Sequence, residues 1–273
     1  MENKNLSYKI KMTIYIKIFA GLCNRLFQYA YGKHLISEGK KVKFIIADDG
    51  NTDILDIIDL YNENNLFIST RNNSNLRVFL AKFFAKYIAH SYEVGFYQNP
   101  DYIKGIKFSF KNKEQYENSK LYNTIIETDS VSLHIRGGDY VLTDNNCFSH
   151  ICTPEYYDNA IKTIKSKIKN PKFIIFTNDR KYSDIILSQI NLTDKEFIFA
   201  SDIDDKKYDD GFDLYLMGQC KGNIIANSTF SWFGAYFNSA NKKMVICPEH
   251  WYGNGDYSSD ILLLPEWTKV KST

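Results

Sequence analysis

Alternating strand-like and helical runs predict an α/β protein built on parallel sheets with helices on both faces. Three observations carry this. The second half of the chain repeats a strand-then-helix rhythm, and the first half opens the same way. The composition, 44% hydrophobic over 273 residues, supplies enough core for one large domain or two modest ones.

Taken in order, the apolar run Thr13–Phe19 reads as the first strand. It sits behind a lysine-bearing stretch, but Lys17 interrupts it and no small-residue cleavage site follows, so it does not read as a signal peptide. Residues 1–11 are expected to be a dispensable leader. Helix Leu22–Ser37 follows, with Leu22, Leu26, Phe27, Ala30, Tyr31 and Leu35 in one apolar stripe. Asn24 and Gln28 fall together on its polar side, with Arg25 beside them. Strand Val42–Ala47 comes next, then polar, Asn-rich residues 51–75 with no assigned element. Leu76–His90 is basic and amphipathic. It is expected to be a helix with its apolar side on the core, with attachment to a membrane surface as the alternative. A domain boundary is expected near residues 105–128, dividing 12–125 from 126–273.

Beyond it, strands are expected at Val131–Ile135, Lys172–Phe176, Phe197–Ala200, Asn223–Ala226 and Lys243–Cys247. The helices between them are Pro154–Ile168, Tyr182–Ile190, Gly211–Cys220 and Thr229–Ala240. In the first, Tyr157, Ile161, Ile164 and Ile168 recur at helical spacing, with Pro154 near the first turn.

Bulk properties narrow the function. A net charge of +2 without a long Lys/Arg block is too mild to imply a nucleic-acid partner. The five cysteines include no CxxC pair, so they read as free thiols in a reducing cytoplasm, not as a disulfide framework or zinc site. No segment approaches the ~20 apolar residues of a transmembrane helix.

In an open parallel sheet, ligands bind beyond the carboxyl ends of the strands. There the sequence gathers His134–Ile135–Arg136–Gly137–Gly138–Asp139, Thr177–Asn178–Asp179 and Ser201–Asp202. Two further strand ends carry Asn227–Ser228–Thr229, with Ser231 just inside the next helix, and Pro248–Glu249–His250–Trp251. Arg136 cannot lose its proton and can grip two phosphate oxygens at once. The glycine pair beside it lets a ligand approach the backbone closely. Ser228 or Thr229 can cap a helix start, and the free N–H groups of such a start also suit a phosphate. Together these elements suit a diphosphate, and hence a nucleotide or nucleotide sugar. No GxxxxGK[ST] occurs, which argues against a P-loop ATPase, and GLCNRLF has the wrong glycine spacing for a dinucleotide enzyme.

GLCNRLFQYAYGKHL, HIRGGDY, FTND, NSTFSWFGAYFN and CPEHWY, in this order, resemble the motifs of the alpha-1,2-fucosyltransferase family across the chain from Met12. The resemblance implies two Rossmann-like domains facing a cleft, a GT-B-like architecture. It implies transfer of L-fucose from GDP-fucose to the 2-hydroxyl of a terminal galactose with inversion, and neither metal nor other cofactor. The setting it implies is assembly of a bacterial surface polysaccharide such as O antigen. The free thiols place that work in the cytoplasm, and peripheral membrane contact through Leu76–His90 stays the alternative reading of that basic amphipathic stretch. Arg136 and the Asn227–Ser228–Thr229–Ser231 helix start then hold the diphosphate, and His134 holds phosphate or orients Arg136. Asp179 serves the guanine or ribose, while Gly21, Asn24 and Arg25 line the cleft from the first domain. A one-step displacement with inversion needs a carboxylate to take the acceptor proton. Asp139 is nearest the arginine, with Asp144 as the alternative. Two positions depart from the family pattern: Gly137 replaces the second of two arginines, and Cys23 replaces a glycine.

Two other readings compete. Asp202–Ile203–Asp204 is a DxD that could hold a divalent ion on a nucleotide diphosphate, although it lies in an acidic loop that reads as a solvated charge run. Trp232, Trp251 and Trp267 could serve a non-catalytic carbohydrate-binding protein, although most of the 20 Tyr and 19 Phe are expected in the core.

Overall fold

The computed structural model describes residues 12–46, 54–59, 66–68, 75–141, 148, 151–204, 207–240, 243–253, 255–256 and 258–271. The proposed leader, residues 1–11, and Asp144 lie outside them. The chain forms two units, Met1–Leu55 with Asp59–Lys107, and Asp56–Ile58 with Phe108–Thr273.

In the first unit, β1 (Thr13–Ile18), α1 (Leu22–Ser37) and β2 (Lys41–Ile46) follow the expected strand–helix–strand order. After α2 (Ile54–Ile57) come β3 (Phe67–Ile68), α3 (Asn75–Phe83) and β4 (Tyr92–Glu93). The strands pair in parallel in the order β3-β2-β1-β4. Ile16, Ile18 and Phe44 are fully buried on the face that α1 covers, where Leu26, Phe27 and Ala30 are buried as well, and Ile45 is fully buried on the opposite face. Each such side chain contributes about 1.5–3 kcal/mol through removal from water.

The expected core-facing helix at Leu76–His90 is organised differently. Its α-helical part gives way to a π-helical turn at Phe84–Ile88, and only Val78 and Ala85 are buried. Phe79, Leu80, Phe83, Phe84, Tyr87 and Ile88 stay exposed. Small residues make the contact, and the large ones point away from it.

The second unit begins before the expected boundary at residue 126. Residues 108–125 belong to it because α4 (Lys113–Glu117) and α5 (Lys120–Glu127) carry Tyr116, Leu121 and Ile125 into its core. The Tyr116 hydroxyl donates to Asp209, which also accepts from Asn112 at 2.7 Å. The remaining elements are β5 (Ser130–Ile135), α6 (Pro154–Lys165), β6 (Lys172–Thr177), α7 (Arg180–Leu187) and β7 (Phe197–Phe199). They continue with α8 (Asp210–Met217), β8 (Gly222–Ile224), α9 (Thr229–Phe237), β9 (Met244–Pro248) and β10 (Thr268–Val270). Every expected strand and helix of this half is present, with ends moved by up to three residues. Capping moves one of them: the Asp179 carboxylate accepts from Tyr182 N at 3.1 Å, so α7 starts at Arg180 rather than Tyr182.

All six strands are parallel, in the order β10-β9-β8-β5-β6-β7. Val131, Leu133, Ile135, Phe173 and Ile175 face Tyr156, Tyr157, Ile161 and Ile164 of α6. On the other face, Ile174 and Phe176 meet α5 and residues Phe212, Leu216 and Met217 of α8. A buried polar network, Ser132–Asn223–Asn238, ties β5, β8 and the end of α9 together through contacts of 2.7 Å.

Candidate functional site

The chain builds β5, β6 and β7 outward to one side, then returns to place β8, β9 and β10 on the other. The connections leaving β5 and β8 therefore diverge, and the crevice at such a switch point is where doubly wound sheets bind ligands. The β5 connection is the Arg136–Asp139 turn. The β8 connection runs through Asn227–Ser228 into α9.

At the end of β5, His134 is buried, and burial first and the Arg136 charge second push its pKa down to about 3. It is therefore a neutral imidazole at ordinary pH. Its Nδ1 is buried and has no hydrogen-bond partner, and the same holds for Arg136 Nε. The other side of the guanidinium is engaged: Nη2 donates to Asp139 Oδ1 at 2.7 Å, and the group lies 5.0 Å from the centre of the Tyr140 ring. Two neighbouring buried polar atoms without partners, one of them on a fixed cation, are costly unless a ligand satisfies them.

The glycines are required sterically. A Cβ on Gly137 would lie 2.7 Å from Asp179 Cβ, and Gly138 has φ +62. Asn178 and Asp179 clamp this turn: Gly137 N donates to Asn178 Oδ1 at 3.0 Å and Gly138 N to Asp179 Oδ2 at 3.3 Å. Both oxygens of Asp179 thus accept from backbone, one from the turn and one from α7. Its place is that of a brace for the Arg136 turn, a role the spacing of the sequence did not suggest.

Ser228 caps α9, its Oγ accepting from Phe230 N at 3.3 Å, and Thr229 is partly exposed at the first helical position. Two other residues expected to touch phosphate are engaged elsewhere. The buried Ser231 Oγ lies 3.2 Å from Ala226 O and 3.3 Å from Ser228 O, the acceptors for its one hydroxyl proton. The Asn227 amide donates to Phe148 O at 3.2 Å and Trp251 O at 3.1 Å. Burial forces both side chains to satisfy backbone carbonyls, so they shape the turn. The carboxylate of Asp260, not singled out in the sequence, accepts from Trp251 N at 2.7 Å and lies 2.8 Å from His250 Nδ1.

In the first unit the sheet also switches direction, between β1 and β4. Gly21 precedes α1 without a side-chain cap, after Ala20 in a left-handed conformation at φ 66. Arg25 is buried, and its Nε donates to Ala20 O at 2.6 Å. Gln28 joins the two connections, accepting from Phe19 N at 2.9 Å and donating to Gly95 O at 3.2 Å. Asn24 Oδ1 accepts from Gln98 Nε2 at 2.8 Å. Arg25 thus supports a strained turn from inside the unit, while Asn24 lies at its rim.

The competing constellations also have definite places. Asp202 receives two bonds from Arg180 Nη1, at 2.8 and 3.0 Å. Asp204 accepts from Lys120 N and Leu121 N at 3.0 and 3.1 Å, at the start of α5. Both acids of the DxD are thus held by the protein's own donors. Trp232, Trp251 and Trp267 are buried, and Trp232 Nε1 donates to Leu262 O at 2.6 Å, so none offers an open face for a sugar. Cys23, Cys152, Cys220 and Cys247 are free thiols.

The His134 environment makes a pH prediction. The unfolded imidazole, with a pKa near 6.5, takes up a proton that the folded one refuses until about 3. Stability from this group is complete above the unfolded value and is lost as pH falls from about 6.5 toward 3, with a slope approaching about 1.4 kcal/mol per pH unit. Urea unfolding across that window should show a shallower acid-side decline in His134→Gln than in the unaltered protein. Parallel declines would place the acid sensitivity elsewhere.

Known proteins resemble this chain in sequence or in fold. An Escherichia coli alpha-1,2-colitosyltransferase is 30% identical over 194 residues, 65% of this chain and 62% of that protein. The O-antigen biosynthesis glycosyltransferase WbnK of Escherichia coli is 31% identical over 159 residues, 55% and 48% of the two chains. In both, less than two thirds of the relative's length is matched. The crystal structure of POFUT1 in complex with GDP superposes with a TM-score of 0.52 at 11% identity, over 87% of this chain and 98% of that one, a likeness of GT-B fold. The glycosyl transferase family 11 pattern begins at residue 68, after the GLCNRLF segment, and includes the whole Arg136 and Ser228 region. Matched over residues 68–271 of 273, the chain belongs to glycosyl transferase family 11.

Proposed function

We propose that this protein transfers L-fucose from GDP-fucose to the 2-hydroxyl of a terminal β-galactose, with inversion, during assembly of a surface glycan such as O antigen. The supporting observation is the pair of buried, unpartnered polar atoms, Arg136 Nε and His134 Nδ1, beside the Gly137–Gly138 turn at the switch point of the second sheet. A diphosphate supplies acceptors for Arg136 and lies against the N-terminus of α9, where Ser228 and Thr229 stand. Neutral His134 can donate to a phosphate oxygen or accept from the guanidinium. Arg136 then stabilises charge as GDP departs, and Asp139 takes the acceptor proton. Gly21, Asn24 and Arg25 belong to the acceptor-side unit, and the chain works in the cytoplasm without a metal.

The colitosyltransferase relative favours a second donor. Another deoxy sugar on the same nucleotide would use the same diphosphate grip, with sugar choice set elsewhere. The deciding experiment is a nucleotide-sugar screen in EDTA, reading GDP release first alone and then with an acceptor panel ending in β-galactose. We expect GDP-fucose turnover to rise with the galactoside acceptors and not to need divalent ions. Turnover only with GDP-colitose would replace the sugar, and turnover only with added magnesium or manganese would promote Asp202 and Asp204. No turnover with any donor would reduce the protein to a binder.

A further inference from the structure

The outward face of residues 75–88 has no part in glycosyl transfer as described. Here nine α-helical residues run into five π-helical ones. Val78 and Ala85 anchor the segment, while Phe79, Leu80, Phe83, Phe84, Tyr87 and Ile88 are between 45% and 61% exposed. At about 100° per residue, Phe79, Leu80, Phe83 and Tyr87 fall within one broad arc opposite the anchoring residues. Arg77 and Lys86 flank that arc on its two sides, and the Lys86 ammonium lies 5.1 Å from the centre of the Tyr87 ring. No Asp or Glu occurs between residues 75 and 90, whereas Arg77, Lys82 and Lys86 do. An exposed aromatic-rich patch of this extent is unusual on a soluble surface and marks an interaction site.

We propose that this segment docks the protein on the surface of an anionic lipid bilayer, lying in the plane of the interface. The charge selects this occupant. A purely apolar partner would gain nothing from cations on both flanks, and a second copy of the same face would bring like charges together. A bilayer surface takes the aromatic side chains into the headgroup and acyl boundary while anionic headgroups meet the flanking cations. The segment is only about 20 Å long, shorter than the hydrocarbon core, so it lies on the membrane rather than crossing it. Among the described residues no helix is long and apolar enough to cross. The proposal does not depend on which sugar is transferred.

The test is flotation of the full chain with vesicles of phosphatidylcholine alone or mixed with phosphatidylglycerol. Binding should favour the anionic vesicles and fall with added salt. Phe79→Gln with Phe83→Gln should abolish it while the circular dichroism spectrum stays the same, since both side chains already face outward. Lys82→Gln with Lys86→Gln should weaken it by roughly 25-fold, each cation near an anionic surface being worth roughly fivefold. A Phe79→Trp variant should shift its added emission to the blue only when anionic vesicles are present. An emission already blue in buffer would mean that another part of the chain covers the face, and would overturn the proposal. So would failure of the unaltered protein to float, or a dimer in sedimentation velocity that the phenylalanine pair abolishes without any vesicle binding.

Discussion

Arg136→Lys is expected to lower turnover by roughly 10²–10³-fold, the scale of losing one preorganised donor to a developing anion. Lysine keeps the charge but has no planar fork and no Nε–H at the buried position where Arg136 now lacks a partner. The leaving diphosphate gains negative charge as the glycosidic bond breaks, so the lost contact matters more in the transition state than in the ground state. Donor affinity should accordingly fall less than kcat. The measurements are kcat with saturating acceptor and GDP-fucose affinity by titration, with folding checked by circular dichroism. Near-normal turnover in a folded Arg136→Lys protein would mean that the strand ends on arginine for structural reasons.

Asp139→Asn should separate the two halves of the reaction. Transfer should fall by roughly 10²–10⁴-fold, the usual reach of a positioned general base. Donor affinity should be retained, because in the free protein Asp139 meets Arg136 through a solvent-exposed contact that phosphate replaces. The neutral amide even removes a negative charge from beside the incoming diphosphate. GDP titration and transfer to a β-galactoside, measured on the same preparation, give the comparison. A folded Asp139→Asn enzyme with near-normal transfer would move the base assignment to Asp144.

The alternation of apolar runs was enough to place five of the six strands of the second sheet and the four helices between them, because a parallel sheet buried on both faces requires continuous apolar strands and striped helices. Helices α4 and α5 and the short edge strand β10 carried no such signal. Arg136, the glycine pair and the Ser228 cap were legible for a related reason: a fixed cation, a φ of +62 at Gly138 and a helix-start hydroxyl are local demands that residue type alone reveals. Three other features depend on residues distant in the chain. The strand order brings the connections after β5 and β8, some 90 residues apart, to one crevice. Burial turns the Asn227 amide to the carbonyls of Phe148 and Trp251, 79 and 24 residues away, and Asp179 braces the turn 41 residues earlier, as no motif spacing could announce. At Leu76–His90 the periodicity was correct and its direction was not. An amphipathic pattern states that a helix has an apolar side, but what that side meets depends on which of its residues the rest of the fold can cover. Here the fold covers only Val78 and Ala85, and leaves the aromatic face to the outside.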